Sequence, residues 1–175
     1  QYHFLANQHM LSTLSHNPSL SGNYTTVRAV LGFVKGECVE GVGCAVIVSR
    51  SAVQRCSTRF AARGGDLHGN VANFVETEVM LIDDVHVFSY LILRGSVPLF
   101  WDQQGLQFGR PTFQITRSAA ATQPAFDRHF DRLCRQYGLV HCLDLLGQKA
   151  SSAEQLLSAA FKFHAERYPG FPDSS

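Results

Sequence analysis

The 175-residue chain carries no excess charge of either sign: fifteen lysines and arginines stand against fourteen aspartates and glutamates, a formal net charge of +1. No global field therefore draws it to nucleic acid or to an anionic membrane, and any anion site has to be built locally. The chain also lacks a run of about 18 uncharged apolar residues, the length a helix needs to cross a bilayer, and its first residues hold no basic segment followed by an apolar one. Five cysteines (Cys38, Cys44, Cys56, Cys134 and Cys142) form an odd set without a Cys-x-x-Cys pair. That pattern argues against a disulfide framework and against a zinc knuckle, and it makes a reducing interior the expected home. The eight histidines are scattered, with no His-Glu-x-x-His motif, so no metal site is indicated. The phosphate-binding loop of nucleotide enzymes, the Gly-x-Ser-x-Gly elbow and the dinucleotide fingerprint are missing too, which removes the main support for nucleotide and serine-hydrolase chemistry and implies no cofactor.

What is present is globular. Hydrophobic residues make up 45% of the chain and charged residues 17%, too apolar a balance for a disordered chain, and 175 residues suffice for one domain with a substantial core. The chain begins at Gln1 rather than at a methionine, which gives the expectation of a segment of something longer. Phe4, Leu5, Leu11 and Leu14 make a partial helical pattern over residues 2–14 that ends before Asn17-Pro18. Residues 27–39 and 44–49 read as two strands joined by the turn at Glu40-Gly41-Val42-Gly43, and residues 75–82 and 85–93 as a second hairpin around Asp83-Asp84. Thr122 as cap, Pro124 in the first turn, the stripe Phe126, Phe130, Leu133, Cys134 and Tyr137, and a closing Gly138 predict an amphipathic helix. Residues 139–145 are apolar enough for a strand buried on both faces. A last helix is predicted from a Ser151/Glu154 capping box through Leu156, Leu157, Ala160, Phe161 and His164 to the stop at Pro169. Hairpins followed by helix, strand and helix give an α/β class, with α+β as the alternative: a mixed sheet built from hairpins, with flanking helices.

Two runs do not suit a plain core. In residues 69–78 two amides, two carboxylates and a glycine interrupt a strand pattern, and in residues 94–101 an arginine and a glycine are fused to a Pro-aromatic cluster; such interruptions usually serve a site or a buried polar network. Arg50, Arg55, Arg59 and Arg63 precede the glycine-rich loop 64–69. Guanidinium forks match phosphate oxygens and glycines let backbone donors approach closely, so a polyphosphorylated ligand fits, although a solvated basic loop has the same composition. Asn70, Asn73, Glu76 and Glu78 could bind a metal or move protons, since carboxylates at i and i+2 share a strand face. The more ordinary role for such carboxylates is to pair with arginines such as Arg59 or Arg94, and the favoured reading has Glu76 orienting an arginine. Arg94-Gly95-Ser96 offers a fixed cation beside exposed N–H groups, while Phe100 and Trp101 suit anchoring better than ligand stacking.

One motif misleads. Residues 44–51 satisfy the pattern Cys-x5-Arg-(Ser/Thr) of cysteine-nucleophile phosphatases, yet that chemistry needs a tight loop at a helix N-terminus to gather N–H groups on the phosphate and lower the thiol pKa. Ala-Val-Ile-Val-Ser is a strand, and a strand holds Cys44 and Arg50 about 20 Å apart.

The two runs, in this order and at this separation, resemble the Sac domain of phosphoinositide phosphatases, most closely its synaptojanin-type branch. Leu31-Gly32-Phe33-Val34, Val48-Ser49-Arg50, Ser57-Thr58-Arg59-Phe60 and Leu145-Leu146-Gly147 follow in family order, so the likeness extends over nearly the whole chain. It implies removal of phosphate from phosphatidylinositol phosphates through a cysteinyl-phosphate intermediate, with an arginine of the same loop holding the phosphoryl oxygens. The family's Cys-x5-Arg-Thr loop is expected beyond the helix that carries Phe161, so the resemblance makes this chain the central portion of a single Sac domain without its nucleophile. Arg59, Arg63, Asn70, Asn73, Glu76, Glu78, Arg94, Ser96 and Trp101 are the expected substrate-binding or supporting residues, and no catalytic residue is assigned. The implied partners are phosphatidylinositol phosphate headgroups, with peripheral membrane contact through a full-length cytoplasmic protein and no nucleic acid. Two other readings stay open: a non-catalytic phosphoinositide-binding module or inactive relative, and a structural fragment with no activity of its own.

Overall fold

The computed structural model describes residues 4–15, 27–41, 43–57, 62–104, 112–147 and 153–171. They form two compact units, one made of Gln1–Cys56 with Asn73–Gly95 and the other of Ser57–Ala72 with Ser96–Ser175.

The first unit holds helix α1 (Gln8–Ser15) and strands β1 (Leu31–Val39), β2 (Gly43–Ser51), β3 (Val75–Ile82) and β4 (Val87–Arg94). The strands pair in chain order, all antiparallel; short turns join β1 to β2 and β3 to β4, as antiparallel pairing permits, while residues 52–74 separate β2 from β3. Asp83 makes the β3–β4 turn by accepting the N–H groups of Val85 and His86 on Oδ1, at 2.8 and 2.6 Å, and those bonds hold its carboxyl below the usual carboxylate range. Ahead of β1, Leu5 and Val30 form an antiparallel bridge, and the Asn7 side chain clamps the same segment by donating to the Val27 carbonyl and accepting from the Ala29 N–H. Phe4, Ala52 and Phe74 are buried, with the Phe4 and Phe74 rings stacked at 6.4 Å. β1 is exposed along its whole length and β4 along nearly all of it, leaving Phe33, Val34, Val87, Phe88 and Tyr90 open.

The odd cysteine count concealed one bond. Cys38 and Cys44 are direct register partners at the closed end of the β1–β2 hairpin and are joined as a disulfide, with Cα atoms 3.9 Å apart. The expectation of no disulfide framework is corrected at this pair, because cross-strand pairing brings together two thiols that look unrelated in sequence. Cys56, Cys134 and Cys142 are free.

The second unit contains a two-stranded antiparallel sheet of β5 (Trp101–Gln104) and β6 (Thr112–Ile115), and helices α2 (Ala119–Tyr137) and α3 (Ala153–Ala165). The β5–β6 pair was not legible in the sequence, where Trp101 read as a core or loop anchor. α2 begins one turn earlier than predicted: Ser118 is the cap, accepting from the Ala121 N–H, and Thr122 lies inside the helix with its hydroxyl donating to the Ser118 carbonyl at 2.9 Å. Pro124 therefore sits in the second turn, where it removes one backbone donor. Gly138 closes the helix as expected, with a φ of 78° and its N–H on the Cys134 carbonyl. Phe126, Phe130 and Leu133 are buried at helical spacing on one face; Phe130 meets the ring of Phe126 at 4.7 Å and that of Phe171 at 4.7 Å. In α3 the buried stripe is Leu157, Ser158 and His164, with Leu156 exposed. The capping box lies partly outside the described residues, and the Glu154 carboxylate instead accepts the Gly147 N–H at 2.6 Å.

Residues 139–147 form no strand. Leu139, Leu143 and Leu145 are exposed, and the segment is tied to α3 through Asp144, which accepts from the Ser158 hydroxyl. A doubly buried strand needs a neighbour on at least one edge, and none lies beside this run among the described residues. With both hairpin sheets and the helices in place, the mixed helix and sheet content predicted from sequence holds, and all pairing within the sheets is antiparallel.

His164 and Gln123 clasp the two helices: His164 Nδ1 lies 2.6 Å from Gln123 Oε1, and Gln123 Nε2 donates back to the His164 carbonyl at 3.2 Å. Burial, with Arg167 nearby and against the pull of Asp127, lowers the His164 pKa from its ordinary value of 6.5. A histidine held neutral in the fold stabilises fully above the unfolded value and loses that contribution as the pH falls through the folded one. Thermal unfolding followed between pH 7.5 and 5 is expected to show a midpoint that falls below about pH 6.5, with His164→Gln flattening that part of the curve. Alkylation of the unfolded, unreduced protein is expected to label three of its five cysteines, and all five after reduction.

Candidate functional site

The sequence-derived site residues divide between the two units, and Arg59 lies outside the described residues. In the first unit Arg50 and Glu76 are direct cross-strand partners. Arg50 Nε donates to Glu76 Oε1 at 2.9 Å and Nη2 converges on the same oxygen. The Glu76 side chain is 3% exposed while that of Arg50 is 44% exposed, so the carboxylate is buried and its cation reaches outward over the face of Phe4, 4.8 Å from the ring centre. Glu76 thus orients an arginine as anticipated, but the partner is Arg50 rather than Arg59 or Arg94, because strand register selects it. Next on that face, Glu78 accepts from the Ser89 hydroxyl at 2.6 Å. Arg94 ends the β3–β4 ladder opposite Val75 and is exposed. Asn73 adopts a left-handed φ of 53°, a conformation asparagine accepts more readily than most residues.

In the second unit the glycine-rich loop is closed on itself. The Asp66 carboxylate accepts the N–H groups of His68 and Asn70 and the Asn70 side-chain amide, each at 2.9 Å. The Gly64 N–H goes to Ser96 Oγ at 2.8 Å, the Gly65 N–H to the Leu99 carbonyl and the Gly69 N–H to the Asp66 carbonyl. Ser96 in turn donates its own N–H to Ala72. These backbone donors serve the fold, so anions at this loop have to be met by side chains. Arg63 lies across Trp101, 5.6 Å from the ring centre, and donates to Gln103 Oε1 at 2.6 Å. Trp101 is buried, donates to the Val97 carbonyl at 3.2 Å and meets Phe113 edge-on at 5.1 Å, which makes it an anchor.

Sequence reasoning missed the helix face that holds this loop. Arg128 Nη1 donates to the Leu67 carbonyl at 2.7 Å, His129 Nδ1 to the Gly69 carbonyl at 2.9 Å, and Arg132 Nη1 and Nη2 to Asn70 Oδ1 and the His68 carbonyl at 2.6 and 2.7 Å. Three α2 side chains thereby bind four consecutive loop residues. The contact is close: a Cβ at Gly69, whose φ is +75°, would lie 2.7 Å from the His129 backbone nitrogen. The sequence held a usable signal in basic residues at positions 128, 129 and 132, one turn of a predicted helix. Asp66→Ala is expected to cost about 2 kcal/mol in a urea unfolding curve, since it strips several donors of their acceptor, with Asp66→Asn costing less.

The family model described as the SacI homology domain matches residues 1–174. The chain is 45% identical over 123 residues to inositol-1,4,5-trisphosphate 5-phosphatase 1 of Schizosaccharomyces pombe, covering 70% of this chain and 11% of that protein. It is 47% identical over 120 residues to human synaptojanin-1, covering 69% and 8%, and 45% identical over 118 residues to a polyphosphatidylinositol phosphatase of Saccharomyces cerevisiae, covering 67% and 10%. The chain thus spans about a tenth of the length of these relatives. A match over residues 1–174, with relatives at 45–47% identity, shows that this chain belongs to the SacI homology domain family.

Proposed function

We propose that the chain is the central, supporting part of a phosphoinositide phosphatase domain, one that hydrolyses phosphate from phosphatidylinositol phosphates with a cysteine nucleophile lying outside these 175 residues. The observation that carries this reading is the family match along residues 1–174 together with relatives whose names are those of phosphatases acting on inositol phosphates and polyphosphatidylinositols.

The fate of Cys44 supports placing the nucleophile elsewhere. It lies on β2 with Arg50 six residues along the same strand, its sulfur is bonded to Cys38, and Arg50 is committed to Glu76. A phosphatase cysteine has to be a thiolate facing its substrate. The open apolar side chains of β1 and β4 accord with a chain that works inside a larger domain.

In this reading Arg59, Arg63, Asn70, Asn73, Glu76, Glu78, Arg94, Ser96 and Trp101 bind the headgroup or hold the residues that do. Glu76 acts through Arg50, Asn70 through Arg132, and Ser96 through the loop at Gly64. The protein would be cytoplasmic, meet its substrate at a membrane surface and act in membrane trafficking.

The test is phosphate release from short-chain phosphatidylinositol phosphates, with the 175-residue chain measured beside a complete protein that carries it. The expected result is turnover by the complete protein alone. Turnover by the chain would place the nucleophile within it, and turnover by neither, with headgroup binding retained, would make it a non-catalytic binding module.

A further inference from the structure

Arg128, Arg132 and Arg135 stand at i, i+4 and i+7 of α2, so they share one helix face. With His68 from the glycine-rich loop and Gln136 they line a recess of about 500 Å³. All five residues belong to the second unit.

The three guanidinium groups are fixed in place by neutral oxygens. Arg128 is held by the Leu67 carbonyl, Arg132 by the His68 carbonyl and Asn70 Oδ1, and Arg135 by the Asp131 carbonyl at 3.1 Å. None of the three forms an ion pair among the described residues. Asp131 accepts from the Tyr168 hydroxyl at 2.9 Å, and Asp66, whose charge Arg132 feels, accepts from its own loop.

Like charges one turn apart on a helix repel and destabilise it, and partial burial adds a desolvation cost at Arg132. An array of this kind becomes favourable when a multivalent anion enters. Guanidinium forks suit phosphate oxygens, and the recess has the volume of a small-molecule site. We propose that this face of α2 is a binding site for a small polyphosphorylated ligand held between Arg128, Arg132, Arg135 and His68; that the ligand is a phosphorylated polyol headgroup rests on the phosphatase reading above. The side chains pinned by the loop set the floor of the site, and Arg128 and Arg135 supply the outer donors.

Titration calorimetry of the 175-residue chain with inositol 1,4,5-trisphosphate tests the site, beside sedimentation with phosphatidylcholine vesicles containing a phosphatidylinositol bisphosphate. Arg132 braces the loop with two hydrogen bonds, so the informative variants are Arg128→Gln and Arg135→Gln, with the exposed Arg28→Gln of the first unit as control. The expected result is measurable binding that falls at least tenfold in the double α2 variant and is unchanged in the control. Binding to vesicles as well as to the free headgroup would assign the site to a lipid, and binding to the headgroup alone would assign it to a soluble phosphate ester. Equal binding by the double variant, no binding by the wild type, or equal affinity for a poly-glutamate peptide would overturn the proposal. A complete protein that releases phosphate while this chain binds no headgroup would overturn the site and leave the phosphatase reading intact. The converse result would do the reverse.

Discussion

The second unit depends on the seating of the Asp66–Asn70 loop against α2. Gly69 allows this because it carries no side chain between its own backbone and that of the helix, and because it tolerates a left-handed φ. Once the backbones touch, the loop carbonyls fall within reach of Arg128, His129 and Arg132, and Asp66 gathers the loop's N–H groups from within. A short segment with little hydrophobic content is thus held by polar contacts whose donors and acceptors are matched, the condition under which a partly buried network stabilises rather than costs. The same contact fixes the three arginines of the proposed anion site, so loop stability and charge placement have one origin.

The first unit meets a different constraint. Glu76 is buried, and a carboxylate out of water is costly unless a cation and good geometry compensate. Arg50 provides both because the β2–β3 ladder sets it directly opposite. The guanidinium keeps one side toward solvent and rests on Phe4, a contact that favours arginine over lysine. The run that looked like a phosphatase signature is therefore a strand whose cysteine closes a hairpin and whose arginine neutralises a buried acid. A spacing written on paper does not distinguish a loop that converges on one phosphoryl group from a strand that spreads the same residues apart.

Much of the architecture could be read from the chain because it follows from local rules. Both hairpins of the first sheet, the amphipathic face of α2 and its Gly138 terminus came from alternation, helical spacing and turn residues. Residues 139–145 failed because apolarity states only that a segment can be buried; whether it becomes a strand depends on a neighbour to pair with, and composition does not supply one. The early start of α2 was missed because Ser118 and Thr122 are both cap-forming residue types, and only the Ala121 N–H shows which one is used.

For the candidate site, the sequence by itself determined the inventory: the arginines, the glycine-rich loop, the paired carboxylates of β3 and the resemblance that these residues carry. It also determined that Cys44 and Arg50 lie on a strand, since the intervening β-branched residues allow little else. Tertiary structure decided the partners. It gave Glu76 to Arg50, Asn70 to Arg132 and Cys38 to Cys44, and it brought Arg128 and Arg135 beside His68 across some sixty residues of chain. Pairings of this kind are set by strand register and by backbone approach, which depend on the whole fold and have no signature in local spacing.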